Sequence, residues 1–286
     1  MKARQKPNRR PLRAILLCVL CLAALLVLNR CIYTNILPII FFHAGFSEDA
    51  YEANRADETL SALAIPSESG TLYGWEWGEP SDVVVLYFGG DASDSNAWIA
   101  SVSASDRETA FGGTKLLTVD YPSFGRSEGV INEQTFYAAA EALYAYAESA
   151  YPEAKKVAVG YSLGCSAVLK VASEHALDGA ILVAPMYDGT TMYFPRTSIL
   201  HAYFEPTASV KLDNDLLAAL VTERVLIVAS TGDSMTKLSD IEAMCGQFPA
   251  PPERVVLDGV GHGEYWETAE TFAAIGRFLA EERGAA

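Results

Sequence analysis

Cysteine and histidine are scarce in this chain, and base is outnumbered by acid. Five cysteines are spread over 286 residues, at positions 18, 21, 31, 165 and 245. Three of them fall in one N-terminal apolar stretch, so no disulfide framework is implied, and no pair has the spacing of a zinc site. Nothing in the sequence calls for a metal or a cofactor. Lys and Arg total 21 against 36 Asp and Glu, a formal net charge of −15. A strongly acidic globular part lacks the basic face that nucleic-acid binding needs, which excludes that class of partner. Histidine occurs only four times, at 43, 175, 201 and 262, so the choice of a general base is narrow. Internal repeats and low-complexity segments are missing too. The length suits one domain with a full core.

Acid is also missing from residues 1–30, which hold Lys2, Arg4, Lys6, Arg9, Arg10, Arg13 and Arg30. Residues 1–13 read as a basic tail. An apolar run, AILLCVLCLAALLVL, follows from Ala14 to Leu28. About 15 residues would rise about 22 Å as a helix, short of a ~30 Å hydrocarbon core. Leu12 precedes the run, however, and CIYTNILPIIFFHAGF follows Arg30, whose long side chain can snorkel. Residues 14–46 are therefore read as a membrane anchor and juxtamembrane segment. No small-x-small cleavage site follows the run, and Arg30 occupies the position before Cys31 where a lipoprotein needs a small residue. The basic tail should stay in the cytoplasm, which puts the remaining domain on the outer side of the membrane. The alternative is a cleaved signal peptide and a secreted domain.

From residue 47 onward the chain reads as a single α/β domain. Ser47 to Leu63 is expected to form a polar linker or short helix, and SGTLYGWEWGE an early antiparallel strand or hairpin. Continuous apolar runs at Val83–Phe88, Lys115–Asp120, Lys156–Tyr161, Gly179–Pro185, Arg224–Ser230 and Arg254–Gly259 suit strands buried on both faces. Helical patterns lie between them in TFYAAAEALYAYAES, SLGCSAVLKVASEHA, SDIEAMCGQF and ETFAAIGRFLAEE. This alternation predicts a mainly parallel sheet with helices on both faces. Residues 186–223 hold aromatics and two prolines but no strand, and read as a cap inserted over the sheet.

GYSLG, Gly160 to Gly164, stands between a predicted strand and a predicted helix. A serine in that context can sit on a sharp turn that exposes its hydroxyl at the sheet edge, provided its neighbours are small. The motif alone is weak, since a plain strand-to-helix turn fits it as well. Cys165, three residues after Ser162, is a rival nucleophile, but its place inside the following helix favours burial. A serine needs a base. His262, in GVGHGEYW just after a strand, lies where catalytic groups collect in a parallel sheet. His43 is beside the anchor, His175 is expected to face solvent or pack near Asp178, and His201 lies in the cap. Asp233, in STGDSM after another strand, is the candidate to orient His262, with Asp188 and Asp258 as competing acids. The backbone amide of Leu163 and that of Asp91 or Gly90, in VLYFGGDAS, are candidate oxyanion donors.

With these residues in place the chain resembles the α/β-hydrolase superfamily, from about residue 60 to its end. It looks most like the membrane-anchored serine hydrolases related to the ABHD proteins and the bacterial serine aminopeptidase-like hydrolases. The resemblance rests on LYGW (72–75), VLYFGGDAS (85–93), VDYPSFGRSEG (119–129), GYSLG (160–164), RVLIVASTGD (224–233) and GVGH (259–262). It implies Ser162 as nucleophile, Asp233 as acid and His262 as base. It also implies that the 119–129 loop helps frame the mouth of the site. In one departure, Gly89 stands where relatives commonly carry a histidine, and Asp91 follows. The expectation is a serine hydrolase acting on an ester, thioester or amide of a small or lipid-like acyl group. The alternative is a catalytically silent fold used as a membrane-tethered binding module.

Overall fold

The computed structural model describes residues 10–42, 45–91, 94–192, 194, 196–204 and 210–284. His43 and Tyr193 lie outside them. A helix, α1 (Arg10–Phe41), takes in the apolar run and continues past it. Its stretch Arg13–Cys31 is long and apolar enough to cross a membrane, and none of it is buried against the domain. At its end Phe42 turns into the core and packs on Phe136, ring centroids 5.8 Å apart.

Helix α2 (Glu48–Ala56) starts at Ser47, whose side chain accepts from the Ala50 amide. Strands β1 (Leu60–Ser67) and β2 (Gly70–Trp77) then form an antiparallel hairpin. The sequence reading carried its linker through Leu63 and so missed the start of β1. LSALAIPS has few β-branched residues and a proline. Its strand form depends on pairing with β2, and Pro66 is tolerated because β1 is an edge strand.

Strand β3 (Val83–Phe88) is buried at every position. Two short helices follow, α3 (Ser95–Ser101) and α4 (Ala104–Phe111). Neither shows an apolar period long enough to read from sequence. The caps Asp94 and Ser103, each accepting a backbone N–H, start them instead. Next come β4 (Lys115–Val119), α5 (Glu133–Ala150), β5 (Lys155–Tyr161) and α6 (Gly164–Glu174). The long helix α5 opens with a reciprocal cap between Asn132 and Thr135. After β6 (Gly179–Val183) the described residues form two small helices, α7 (Ile199–Phe204) and α8 (Asn214–Ala218). Then β7 (Val225–Ser230), α9 (Leu238–Cys245), β8 (Glu253–Leu257), a 3-10 turn (His262–Glu267) and α10 (Ala269–Gly284) complete it.

The eight strands form one sheet in the order β1-β2-β4-β3-β5-β6-β7-β8. Only β2 runs against its neighbours; β3 through β8 are parallel, as the alternation predicted. Each face of the sheet has its own apolar core. One holds Phe136 and Leu143 of α5 with Val168 and Leu169 of α6, and it also takes in Met186. The other holds Trp98, Phe111, Phe272 and Phe278, from α3, α4 and α10. Parallel strands buried on both sides bring all their following loops to one edge, where a site can form.

Candidate active site

Ser162 and Leu163 join β5 to α6, and the Ser162 backbone is left-handed at φ 52°. That conformation costs a non-glycine residue energy and marks a constrained turn. Its neighbours are small because there is no room. A Cβ on Gly164 would come within 2.0 Å of the Phe88 carbonyl oxygen, and one on Gly160 within 2.6 Å of the Gly164 carbonyl oxygen. The Ser162 amide donates to the Val183 carbonyl on β6 at 2.9 Å, which ties the turn to the sheet.

The Ser162 hydroxyl lies 2.9 Å from His262 Nε2, and His262 Nδ1 lies 2.8 Å from Asp233 Oδ2. An ionised carboxylate can only accept, so Nδ1 carries the proton and Nε2 is left to accept from the serine. Asp233 is held from several sides. Its Oδ1 accepts the Met235 and Thr236 amides at 2.8 and 2.9 Å, and its Oδ2 accepts the hydroxyls of Thr236 at 2.7 Å and Tyr265 at 3.2 Å. Burial alone would push this carboxyl up; the hydrogen bond and charge of His262, with the Thr236 donors, bring it below the usual carboxylate range. The Tyr161 hydroxyl donates to the His262 carbonyl, and its ring stacks on the imidazole at 5.6 Å.

Thr236, Tyr265 and Tyr161 were not singled out in the sequence. Thr236 and Tyr265 each lie three residues beyond a singled-out residue, Asp233 and His262. That spacing was their only signal.

The other candidates separate clearly. Asp188, one competing acid, accepts from His201 Nε2 at 2.9 Å. Asp258, the other, accepts from the Thr231 hydroxyl at 2.9 Å. His175 meets Glu141 at 2.6 Å and stacks on Tyr144, not Asp178, which instead accepts the Lys156 amide. Cys165 is fully buried, and its thiol donates toward the Gly160 and Val183 carbonyls at 3.3 Å. Burial pushes that thiol up, away from the thiolate a nucleophile needs.

Leu163 is buried immediately ahead of α6, and among the described residues no acceptor is recorded for its amide. Gly90 approaches the serine closely: a Cβ built on it would stand 3.7 Å from the Ser162 Cβ and 3.1 Å from the Tyr161 ring. Asp91 is partly buried, close enough to the site to feel the charge of His262. Burial raises its pKa, while its own amide and the charge of His262 pull it back. The Tyr121 hydroxyl donates to the Gly89 carbonyl at 3.0 Å and steadies this loop. Below the loop lies a cavity of about 330 Å³ walled by Tyr87, Trp98, Tyr121, Tyr161 and Trp266, with Asp120 at one side. Asp120 is almost wholly buried and accepts the Ser95 amide at 2.5 Å; burial lifts its pKa to about 7, the Ser95 donors lowering it and Asp94 raising it.

Residues 39–223 match the model of the alpha/beta hydrolase family, about two thirds of the chain. Asp233 and His262 lie beyond the matched stretch. Alpha/beta hydrolase domain-containing protein 17C of Xenopus tropicalis is 26% identical over 170 residues, 58% of this chain and 53% of that protein. The human 17B protein is 26% identical over 168 residues, 56% of each chain. The chain thus spans about half the length of the curated relatives it matches. Among solved structures, an esterase of Pyrococcus furiosus superposes with a TM-score of 0.65 at 16% identity, covering 84% of this chain and 98% of that one. A serine hydrolase without a lid from Xanthomonas campestris gives a TM-score of 0.53 at 16% identity, over 80% and 92% of the two chains. At such identities the likeness establishes the fold, which is that of the α/β-hydrolases.

Proposed function

The chain belongs to the alpha/beta hydrolase family, and from that premise we propose that it is a serine hydrolase. Its nucleophile is Ser162, its general base His262 and its orienting acid Asp233. The observation that carries this reading is the unbroken relay from the Ser162 hydroxyl through both nitrogens of His262 to a buried carboxylate, built on a serine of positive φ.

The chemistry is a two-step acyl transfer. His262 Nε2 takes the hydroxyl proton as Ser162 Oγ attacks the substrate carbonyl carbon. The imidazolium that forms is stabilised by the Asp233 carboxylate. The Leu163 amide, with that of Gly90 or Asp91, holds the oxyanion; losing one such donor costs about 3 kcal/mol. The leaving group departs with the proton from His262. Water then cleaves the acyl-enzyme by the same route.

Substrates are acyl esters, thioesters or amides with a small or lipid-like acyl group, and the aromatic cavity beside the Gly89–Gly90 loop supports an apolar moiety. Residues 186–223 act as the cap. The α1 helix anchors the enzyme in a membrane with the basic tail in the cytoplasm and the catalytic domain on the other side; secretion after cleavage is the alternative.

A fluorophosphonate probe tests the assignment. The folded wild-type chain should be labelled and Ser162→Ala should not. Absence of labelling on the wild type supports the silent binding module instead. A panel of p-nitrophenyl esters of graded chain length, run beside aminoacyl-nitroanilides, then separates ester from amide substrates.

A further inference from the structure

Of the exposed large aliphatic side chains between β6 and β7, Leu216 and Leu220 stand apart on or just after α8, whereas two are adjacent on α7. Ile199 is 85% exposed and Leu200 48%, side by side at the start of α7. Adjacent exposed aliphatics on a short helix call for a partner. What lies next to them is the apolar helix. The Tyr203 hydroxyl donates to the Leu26 carbonyl of α1 at 3.1 Å, and the Arg30 guanidinium stands over the Tyr203 ring at 5.4 Å. Leu26 lies within the apolar stretch that ends at Cys31. At 1.5 Å per residue, its carbonyl is about 7 Å inside the end of that stretch. A tyrosine with its ring against apolar helix and an arginine beside it is the arrangement found at a membrane–water boundary.

The middle of α7 is tied to the domain. His201 bonds the buried Asp188, five residues beyond Val183, whose carbonyl accepts the Ser162 amide. One short helix therefore joins the anchor to the sheet edge that carries Ser162.

We propose that α7 lies in the lipid–water interface of the membrane that α1 spans, with Ile199 and Leu200 dipping into the acyl region. The proposal rests on the reading of α1 as an anchor. It makes the bilayer surface the occupant of this face. It also turns the rim of the candidate site toward the lipid, so acyl substrates reach Ser162 from the bilayer without crossing water. An interfacial helix of this kind buries its apolar face about 5–10 Å into the headgroup and acyl boundary, which matches the depth at which Tyr203 meets α1.

The test uses the full chain reconstituted in phosphatidylcholine vesicles, with a photo-cross-linking phenylalanine analogue installed at one position at a time. Position Leu22 reports on α1, position Ile199 on α7, and position Glu153, exposed just ahead of β5 at the opposite sheet edge, is the aqueous control. Lipid adducts at Leu22 and Ile199 but not at Glu153 support the proposal. An adduct at Leu22 with none at Ile199 overturns it and leaves the anchor standing. No adduct at Leu22 overturns the anchor and the proposal together. In a second arm, Ile199→Glu combined with Leu200→Glu should slow cleavage of a long-chain ester dispersed in the vesicle by about tenfold or more, while slowing p-nitrophenyl acetate cleavage less than about threefold. Equal loss on both substrates counts against it.

Discussion

Two histidine–aspartate pairs stand at the same edge of the sheet, and they are built almost alike. Asp233 offers Oδ1 to the Met235 and Thr236 amides and Oδ2 to His262. Asp188 offers Oδ1 to the Thr190 and Thr191 amides, at 2.7 and 2.8 Å, and Oδ2 to His201. Both carboxylates are buried. The difference lies on the imidazole. Asp233 takes Nδ1 and leaves Nε2 facing a strained serine. Asp188 takes Nε2, and among the described residues no hydroxyl is recorded on His201 Nδ1. A histidine–aspartate pair of similar build thus presents a free ring nitrogen to a serine in one place and ties α7 to the domain in the other. What decides is which ring nitrogen is occupied and what the free one meets.

The sharpest way to break that comparison is to remove each histidine in turn. His262→Ala, like Ser162→Ala, should lower ester cleavage by about 10⁴–10⁶-fold. His201→Ala should leave cleavage of a soluble short-chain ester within about threefold of wild type, since that histidine touches no reacting atom. Steady-state rates on p-nitrophenyl acetate decide it; comparable losses in the two variants would erase the distinction.

The carboxylates come next. Asp233→Asn should cost about 10⁴-fold in kcat by allowing the wrong imidazole tautomer. Asp188→Asn should appear in stability instead, by about 1–3 kcal/mol in denaturant unfolding. A folded pKa held low contributes stability above the unfolded value, near 4, and loses it as pH falls through the lowered folded value. The Asp233 contribution should therefore fade only in acid.

Asp120 extends the contrast to a buried carboxylate without a histidine. Its pKa is raised to about 7, so the folded state holds a proton that the unfolded state has released. Stability should fall as pH rises between about 4 and 7, by on the order of 4 kcal/mol, and level off above. Asp120→Asn should flatten this window; unfolding curves at stepped pH measure it. A wild-type profile that rises across the same window would contradict the assignment.

The smallest effect belongs to Cys165. Cys165→Ala should leave the rate within about threefold and cost roughly 1 kcal/mol in stability through a small cavity. Alkylation of the native chain should spare this thiol, as read out by mass spectrometry.

Much of this was legible beforehand, for identifiable reasons. Strands buried on both faces read as continuous apolar runs, so β3 to β7 were recognisable, and the small neighbours of Ser162 announced a tight turn. β8 was found as a strand but is not buried on both faces as expected, because it closes the sheet as an edge and leaves Glu253, Arg254 and Val256 exposed. Less was visible where pairing or a single cap decides the structure. β1 contains few strand-forming residues, and α3 and α4 start at caps with no extended apolar period. The environment of Asp91 was also out of reach. Its burial and its nearness to the charge of His262 depend on a loop conformation that no periodicity encodes.

The amino-acid order by itself determined the class of fold, the apolar helix at the start and the few residues able to do nucleophilic chemistry. Those follow from hydrophobic period and from residue type, which are local properties. Only the tertiary structure decided that Asp233 serves His262 while Asp188 serves His201, that Cys165 is sealed, and that α7 bridges α1 to the sheet edge. The partners in the two histidine–aspartate pairs and in the α7–α1 contact lie 13 to 177 positions apart in sequence. Their partners are chosen by the packing of parallel strands, which gathers distant loops at one edge.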